Sequence, residues 1–135
     1  MRRMLLAALV ALGAGGAQAQ EAGELEGIIA EQMGAFLADD FAAAFEHASP
    51  MIRGMFGTPD NFGAMVRNGY PMVWRPADIR FAEQEPGTEA GSVVQRLSVR
   101  GPDGRYYVCE YTMIPTGAGW KINGVSVLPA PDVGA

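Results

Sequence analysis

The 135 residues are enough for one domain and too few for two, and 49% apolar against 19% charged residues excludes disordered, collagen-like and disulfide-dense miniature classes. Ten basic residues oppose fifteen acidic ones, a formal charge of -5. A chain this acidic is repelled by phosphate backbones and anionic head groups, which argues against nucleic acid and against polybasic docking on membranes.

In chain order, residues 1–19 read as a cleaved secretory signal: basic Arg2 and Arg3, apolar Met4 to Leu12, and the A-x-A site Ala17-Gln18-Ala19. The mature chain is expected to begin at Gln20, and losing the two arginines takes the charge from -5 to -7. The apolar run falls short of the roughly 18 to 20 residues that cross a bilayer, and no later segment is longer. The expected location is therefore the periplasm or the exterior, with residues 20–135 forming one domain that does not span a membrane. The absence of a cysteine at the cut argues against a lipid anchor.

From Leu25 to Ala48, apolar residues recur at spacings of three and four through Ile29, Met33, Phe36, Leu37, Phe41, Ala44 and Phe45. Such spacing predicts a core-facing helix. Asp39 or Asp40 can cap a helix here, so the stripe is either one bent helix or two. Ser49-Pro50 and Thr58-Pro59 each supply an N-cap followed by proline at the first helical position, where its missing N–H costs nothing. Gly57 and Gly69 close the two helices that follow.

After Pro76 the period changes to two. Ile79 and Phe81 mark a first strand, Val93 to Arg100 a second, Tyr106 to Ile114 a third and Trp120 to Leu128 a fourth, with a bulge predicted at Asn123-Gly124. Gly101-Pro102-Asp103-Gly104 predicts a hairpin and Pro115 to Gly119 a further turn. Helices over about 25–69 followed by strands over about 78–128 predict an α+β fold with a mainly antiparallel four-stranded sheet.

The motifs Ala44-Phe45-x-x-Ala48-Ser49-Pro50-x-Ile52, Phe56-Gly57, Phe62-x-x-Met65-Val66 and Tyr70-x-x-Val73-x-Arg75-Pro76 resemble the secreted bacterial family of domain of unknown function 4864. The order of elements is similar to the nuclear-transport-factor-2-like (cystatin-like) superfamily. That resemblance implies a cone in which N-terminal helices pack on the concave face of a curved sheet. It implies no activity and no catalytic residues, since that superfamily hosts enzymes, binding modules and dimeric scaffolds alike.

A four-residue loop at Gly101–Gly104 sets Val99 opposite Tyr106, Leu97 opposite Val108 and Gln95 opposite Glu110. Leu97, Val99, Tyr106, Val108 and Ile114 then share the core face with Trp120 and Ile122, and Gln95 and Glu110 project into the same apolar interior. Glu110, Gln95 and Tyr106 are thus the candidate ligand-binding residues. In an acid-base isomerase or dehydratase, Glu110 is the candidate base and Tyr106 the donor to a developing oxyanion. The opposite face, Tyr107, Cys109, Tyr111 and Met113, is also apolar enough to be core. With the faces exchanged, Glu110 pairs with Arg96 or Arg100. Apolar residues on both faces also suit a homodimer formed through the sheet.

Cys109 is the only cysteine, so no internal disulfide forms, and its place in a strand pattern predicts a buried thiol. His47 and Asp40 lie two helical turns apart, too far for a direct hydrogen bond. One histidine and one cysteine, without Cys-x-x-Cys or His-x-x-x-His spacing, predict no metal site. No nucleotide or dinucleotide signature predicts a cofactor, and the eight methionines suit core filling. The expected function is a non-enzymatic module that binds a small apolar ligand or an envelope protein, the alternative being the acid-base enzyme.

Overall fold

The computed structural model describes residues 21–130. The predicted leader and its cleavage point lie outside the described residues. The first helix, α1 (residues 21–37), buries Leu25, Ile29, Met33 and Phe36. Leu37, one position beyond Phe36, is rotated off this stripe and is 51% exposed, contrary to expectation. Asp39 adopts φ 55°, a left-handed conformation that ends the helix. Asp40 then accepts a hydrogen bond from the Ala43 amide at 3.1 Å and starts α2 (Phe41–Glu46), so the stripe forms two helices.

Ser49 and Thr58 cap α3 (Pro50–Phe56) and α4 (Pro59–Gly69) as predicted, and Gly57 ends α3 with φ 77°. A short helix, α5 (Pro71–Trp74), follows where no element is predicted. Pro71 stands at its first position, the device already used at Pro50 and Pro59, but Tyr70 supplies no side-chain cap. Arg75 anchors this end of the helical layer. Its guanidinium donates to the Phe36 carbonyl at 2.6 Å and to both oxygens of Asp39 at 2.9 Å.

Four antiparallel strands run in chain order as a meander: β1 (Asp78–Pro86), β2 (Val93–Arg100), β3 (Tyr106–Thr116) and β4 (Gly119–Pro129). The α+β architecture is as expected, with a sheet neither closed nor strongly curled. Its inner face meets the helices in one apolar cluster that joins Leu25, Phe36 and Phe45 to Leu97, Val99, Tyr111, Met113 and Ile122.

The β2–β3 register differs from the expected one by a single residue. Arg100 pairs with Tyr106, Val99 with Tyr107, Leu97 with Cys109, and Gln95 with Tyr111. The cause lies in the turn. Gly104 donates to the Gly101 carbonyl at 3.0 Å and takes φ 81°, and Gly101 donates to Arg105 at 2.8 Å. A turn followed by a left-handed glycine leaves an odd number of loop residues, and this reverses the parity that an even loop imposes. The inner residues of β3 are therefore Tyr107, Cys109, Tyr111 and Met113. Tyr106, Val108, Glu110 and Ile114 face outward, which corrects the expected core row.

The β3–β4 turn is the two residues Gly117 and Ala118, since Thr116 pairs with Gly119. The expected five-residue turn is shortened by two residues on one side and one on the other, because the β-pairing carries on through Pro115 and Thr116 and resumes at Gly119. The bulge falls where expected: Thr112 pairs with Gly124 and Met113 with Ile122, leaving Asn123 between them. Ile122 lies on the inner face, and Trp120 packs against the core.

Candidate functional site

The bulge joins the sheet to the helical layer. Ile122, on edge strand β4, donates its amide to the His47 carbonyl and accepts from the Ser49 amide, both at 2.8 Å. The Ser49 hydroxyl donates to Asn123 Oδ1 at 2.7 Å and accepts from the Ile52 amide at 3.3 Å. One buried serine thus caps α3 and fixes that helix against the bulge. Edge-strand polar groups that would otherwise be open to another chain are satisfied here.

A cavity of about 420 Å³ lies between this part of β4 and the helices. Ile52, Met55 and Phe56 of α3 form one wall, and Phe62, Met65 and Val66 of α4 another. Ile122 and Val125 contribute from β4, and Gln32 and Phe36 from α1. Phe62 orders the aromatic side, with ring centroids 5.8 Å from Phe36, 5.8 Å from Phe56 and 5.4 Å from Phe45. Among the described residues the lining carries two polar side chains, Gln32 and Tyr70, and no Asp, Glu, Lys, Arg or His. Gln32 is 3% exposed and donates Nε2 to the Ala44 carbonyl at 3.1 Å. Met55, 65% exposed, carries the α3 wall out to solvent.

The three residues proposed from the sequence are not brought together. Gln95 does point inward, fully buried, but Nε2 donates to the Ala82 and Arg96 carbonyls at 3.1 and 2.9 Å while Oε1 accepts from Gln84 at 2.5 Å. These bonds tie down the irregularity in β1 between Phe81 and Gln84. Tyr106 lies at the hairpin end of the outer face, 56% exposed. Glu110 lies on the outer face as well, where it accepts from Arg96 Nη2 at 2.7 Å.

Arg96 also bonds Glu85 at 2.9 Å and Glu83, so three carboxylates surround one guanidinium. The hydrogen bond to Glu110, followed by that to Glu83, raises the Arg96 pKa. Glu83 is held below the usual carboxylate range, first by a backbone hydrogen bond and then by Arg96. This is the ion pair expected if the faces were exchanged, and it places the carboxylate across the sheet from the cavity.

His47 approaches Glu31 of α1 at 3.4 Å rather than Asp40. Cys109 is a free, buried thiol whose pKa is pushed up to about 12 by burial. No group of three metal-binding side chains occurs among the described residues. No described helix is long and apolar enough to cross a membrane. Sequence reasoning missed Gln32, although a signal was present: Leu25, Ile29, Gln32 and Phe36 continue one 4-3-4 stripe, so a polar side chain at 32 faces the core.

Fold and cavity together define a small α+β domain with an apolar chamber between its helices and one edge of its sheet. The family model described as Domain of unknown function (DUF4864) matches residues 18–135, and the chain belongs to that family. No curated protein and no solved structure matches it.

Proposed function

We propose that the protein is a non-enzymatic binding module whose cavity takes a small apolar ligand. The observation that carries this reading is the 420 Å³ chamber itself, walled by aliphatic, aromatic and methionine side chains. It falls within the range of small-molecule sites, which are apolar with a few polar groups that fix orientation. A helical layer over one sheet face with a chamber between them suits the layering of the nuclear-transport-factor-2-like superfamily, although the sheet is not strongly curled as its cone requires. The acid-base alternative loses its geometry, since Glu110 and Tyr106 both stand outside the chamber.

Native mass spectrometry of the exported protein tests the reading, together with titration by the fluorescent probe N-phenyl-1-naphthylamine. A co-purified apolar mass or saturable probe binding is the expected result. A ligand-free mass together with no saturable binding would overturn it.

Export through the leader belongs to the same proposal, and N-terminal sequencing of the exported chain should begin at Gln20. A homodimer through the outer sheet face is the second reading. It is favoured by Tyr106 and Leu128, large apolar side chains 56% and 50% exposed in neighbouring rows of that face. An envelope protein seated on the same face is the other partner this reading admits.

A further inference from the structure

We infer that the cavity selects a neutral amphiphile, an apolar body bearing one uncharged group that both donates and accepts hydrogen bonds, with that group seated at Gln32. The inference rests on the reading of the chamber as a ligand site and adds the chemical class of the ligand.

Charge comes first. Among the described residues the lining contains no side chain that is ionised at neutral pH. A carboxylate or ammonium entering it would lose its hydration and meet no counter-charge, a cost that apolar contact does not offset. The anionic and cationic forms of an otherwise suitable ligand are therefore both excluded, so selection is by charge state and not by sign.

The polar anchor comes second. A carboxamide has two N–H donors and an oxygen with two lone pairs. The Ala44 carbonyl can only accept, so Gln32 must turn its nitrogen toward it, at 3.1 Å. This is the one side-chain hydrogen bond Gln32 makes among the described residues. The amide oxygen and second N–H remain for a partner, in a residue 97% removed from solvent by its 3% exposure. The amide oxygen is not among the buried polar atoms left without a partner, so it opens to the chamber, where a hydroxyl or a primary amide can bond both free sites of the carboxamide.

Size is the third constraint. At roughly 30 Å³ for each methylene-sized group of a flexible chain, 420 Å³ holds about 14 of them, and the fused rings of an aromatic probe need less volume per atom. A chain of about ten carbons with a terminal hydroxyl fits within that volume.

The test is displacement of N-phenyl-1-naphthylamine from the purified protein at neutral pH by 1-decanol, decanamide, decanoate and decylammonium. Decanol and decanamide should displace the probe at concentrations at least about tenfold below either ion. In Gln32→Leu decanol should weaken roughly five- to tenfold relative to n-decane competing against the same probe in the same variant, the effect of one neutral hydrogen bond. Gln32→Met, closer in shape, serves the same purpose if the leucine variant does not fold. Loss of decanol affinity with Gln32 separates recognition from simple partitioning into an apolar chamber, which does not depend on this residue. Absence of any probe binding would overturn the ligand site itself. Probe binding with an ion competing as well as decanol, or with decanol unaffected in both variants, would overturn the neutral-amphiphile inference and leave the ligand site standing.

Discussion

Tyr111 and Cys109 stand two positions apart on the inner face of β3, and neither exposes any surface. The thiol needs no partner and behaves as a small apolar group. The Tyr111 hydroxyl is a polar group without a hydrogen-bond partner among the described residues, and burial, followed by the nearby Cys109, raises its pKa well above the usual tyrosine value. Tyr111→Phe keeps the ring and deletes the orphan oxygen, so the variant should match or exceed the parent by up to about 1 kcal/mol in urea unfolding. A loss above that amount would mean that the hydroxyl has a partner. Asp39 shows the opposite case, an exposed carboxyl held below its ordinary value of 3.8, first by the Trp74 indole N–H and then by Arg75. A depressed folded pKa contributes stability that is fully present above the unfolded value and lost as pH falls through the folded one. Asp39→Asn should therefore flatten the acid limb of a stability-against-pH curve below about 4, measured as the urea midpoint at each pH. The buried thiol was legible from its place in an alternating run. Asp39 was visible only as a possible cap, because its partners Trp74 and Arg75 lie 35 and 36 residues away.

Helix boundaries follow from short-range chemistry, and the caps at Ser49 and Thr58 were readable for that reason. The two caps nevertheless differ in what they hold. Thr58 is exposed and accepts one bond, from the Asn61 amide at 3.2 Å. Ser49 is buried, and its hydroxyl both accepts from Ile52 and donates to Asn123, 74 residues away. Thr58→Ala should cost about 1 kcal/mol, whereas Ser49→Ala should cost about 2 and loosen α3 from the bulge. Thermal melts of the two variants side by side check the ranking. Equal losses would show that the bond to Asn123 contributes nothing. Gly63 illustrates a restraint within an element: a Cβ there would run into the Phe41 ring, so this helical glycine makes room for an aromatic side chain.

Among the described residues, one sheet face is covered by helices and the other is left to solvent. Apolar side chains dominate the covered face, and the outer face carries the Arg96 cluster together with Tyr106 and Leu128. Leu128→Glu should leave the unfolding free energy within about 0.5 kcal/mol of the parent, as expected for an exposed position. If the sheets pair in solution, light scattering should show a dimer for the parent and a monomer for this variant. A monomeric parent would remove the sheet-to-sheet reading without touching the cavity.

Local pattern was sufficient for the α+β order, the helices led by Pro50 and Pro59, the four strands and the bulge near Asn123, because each depends on neighbours a few residues apart. The face of β3 was beyond its reach. The hairpin holds an even or an odd number of loop residues according to how Gly104 and Arg105 close the turn, and one residue exchanges Glu110 and Tyr106 for Tyr111 and Cys109. The alternating run is apolar on both sides, so the burial pattern could not arbitrate. The chamber was equally out of reach, since a void arises where helices from four parts of the chain fail to fill the space above β4. That shortfall is a property of their packing in three dimensions and leaves no trace in any single segment.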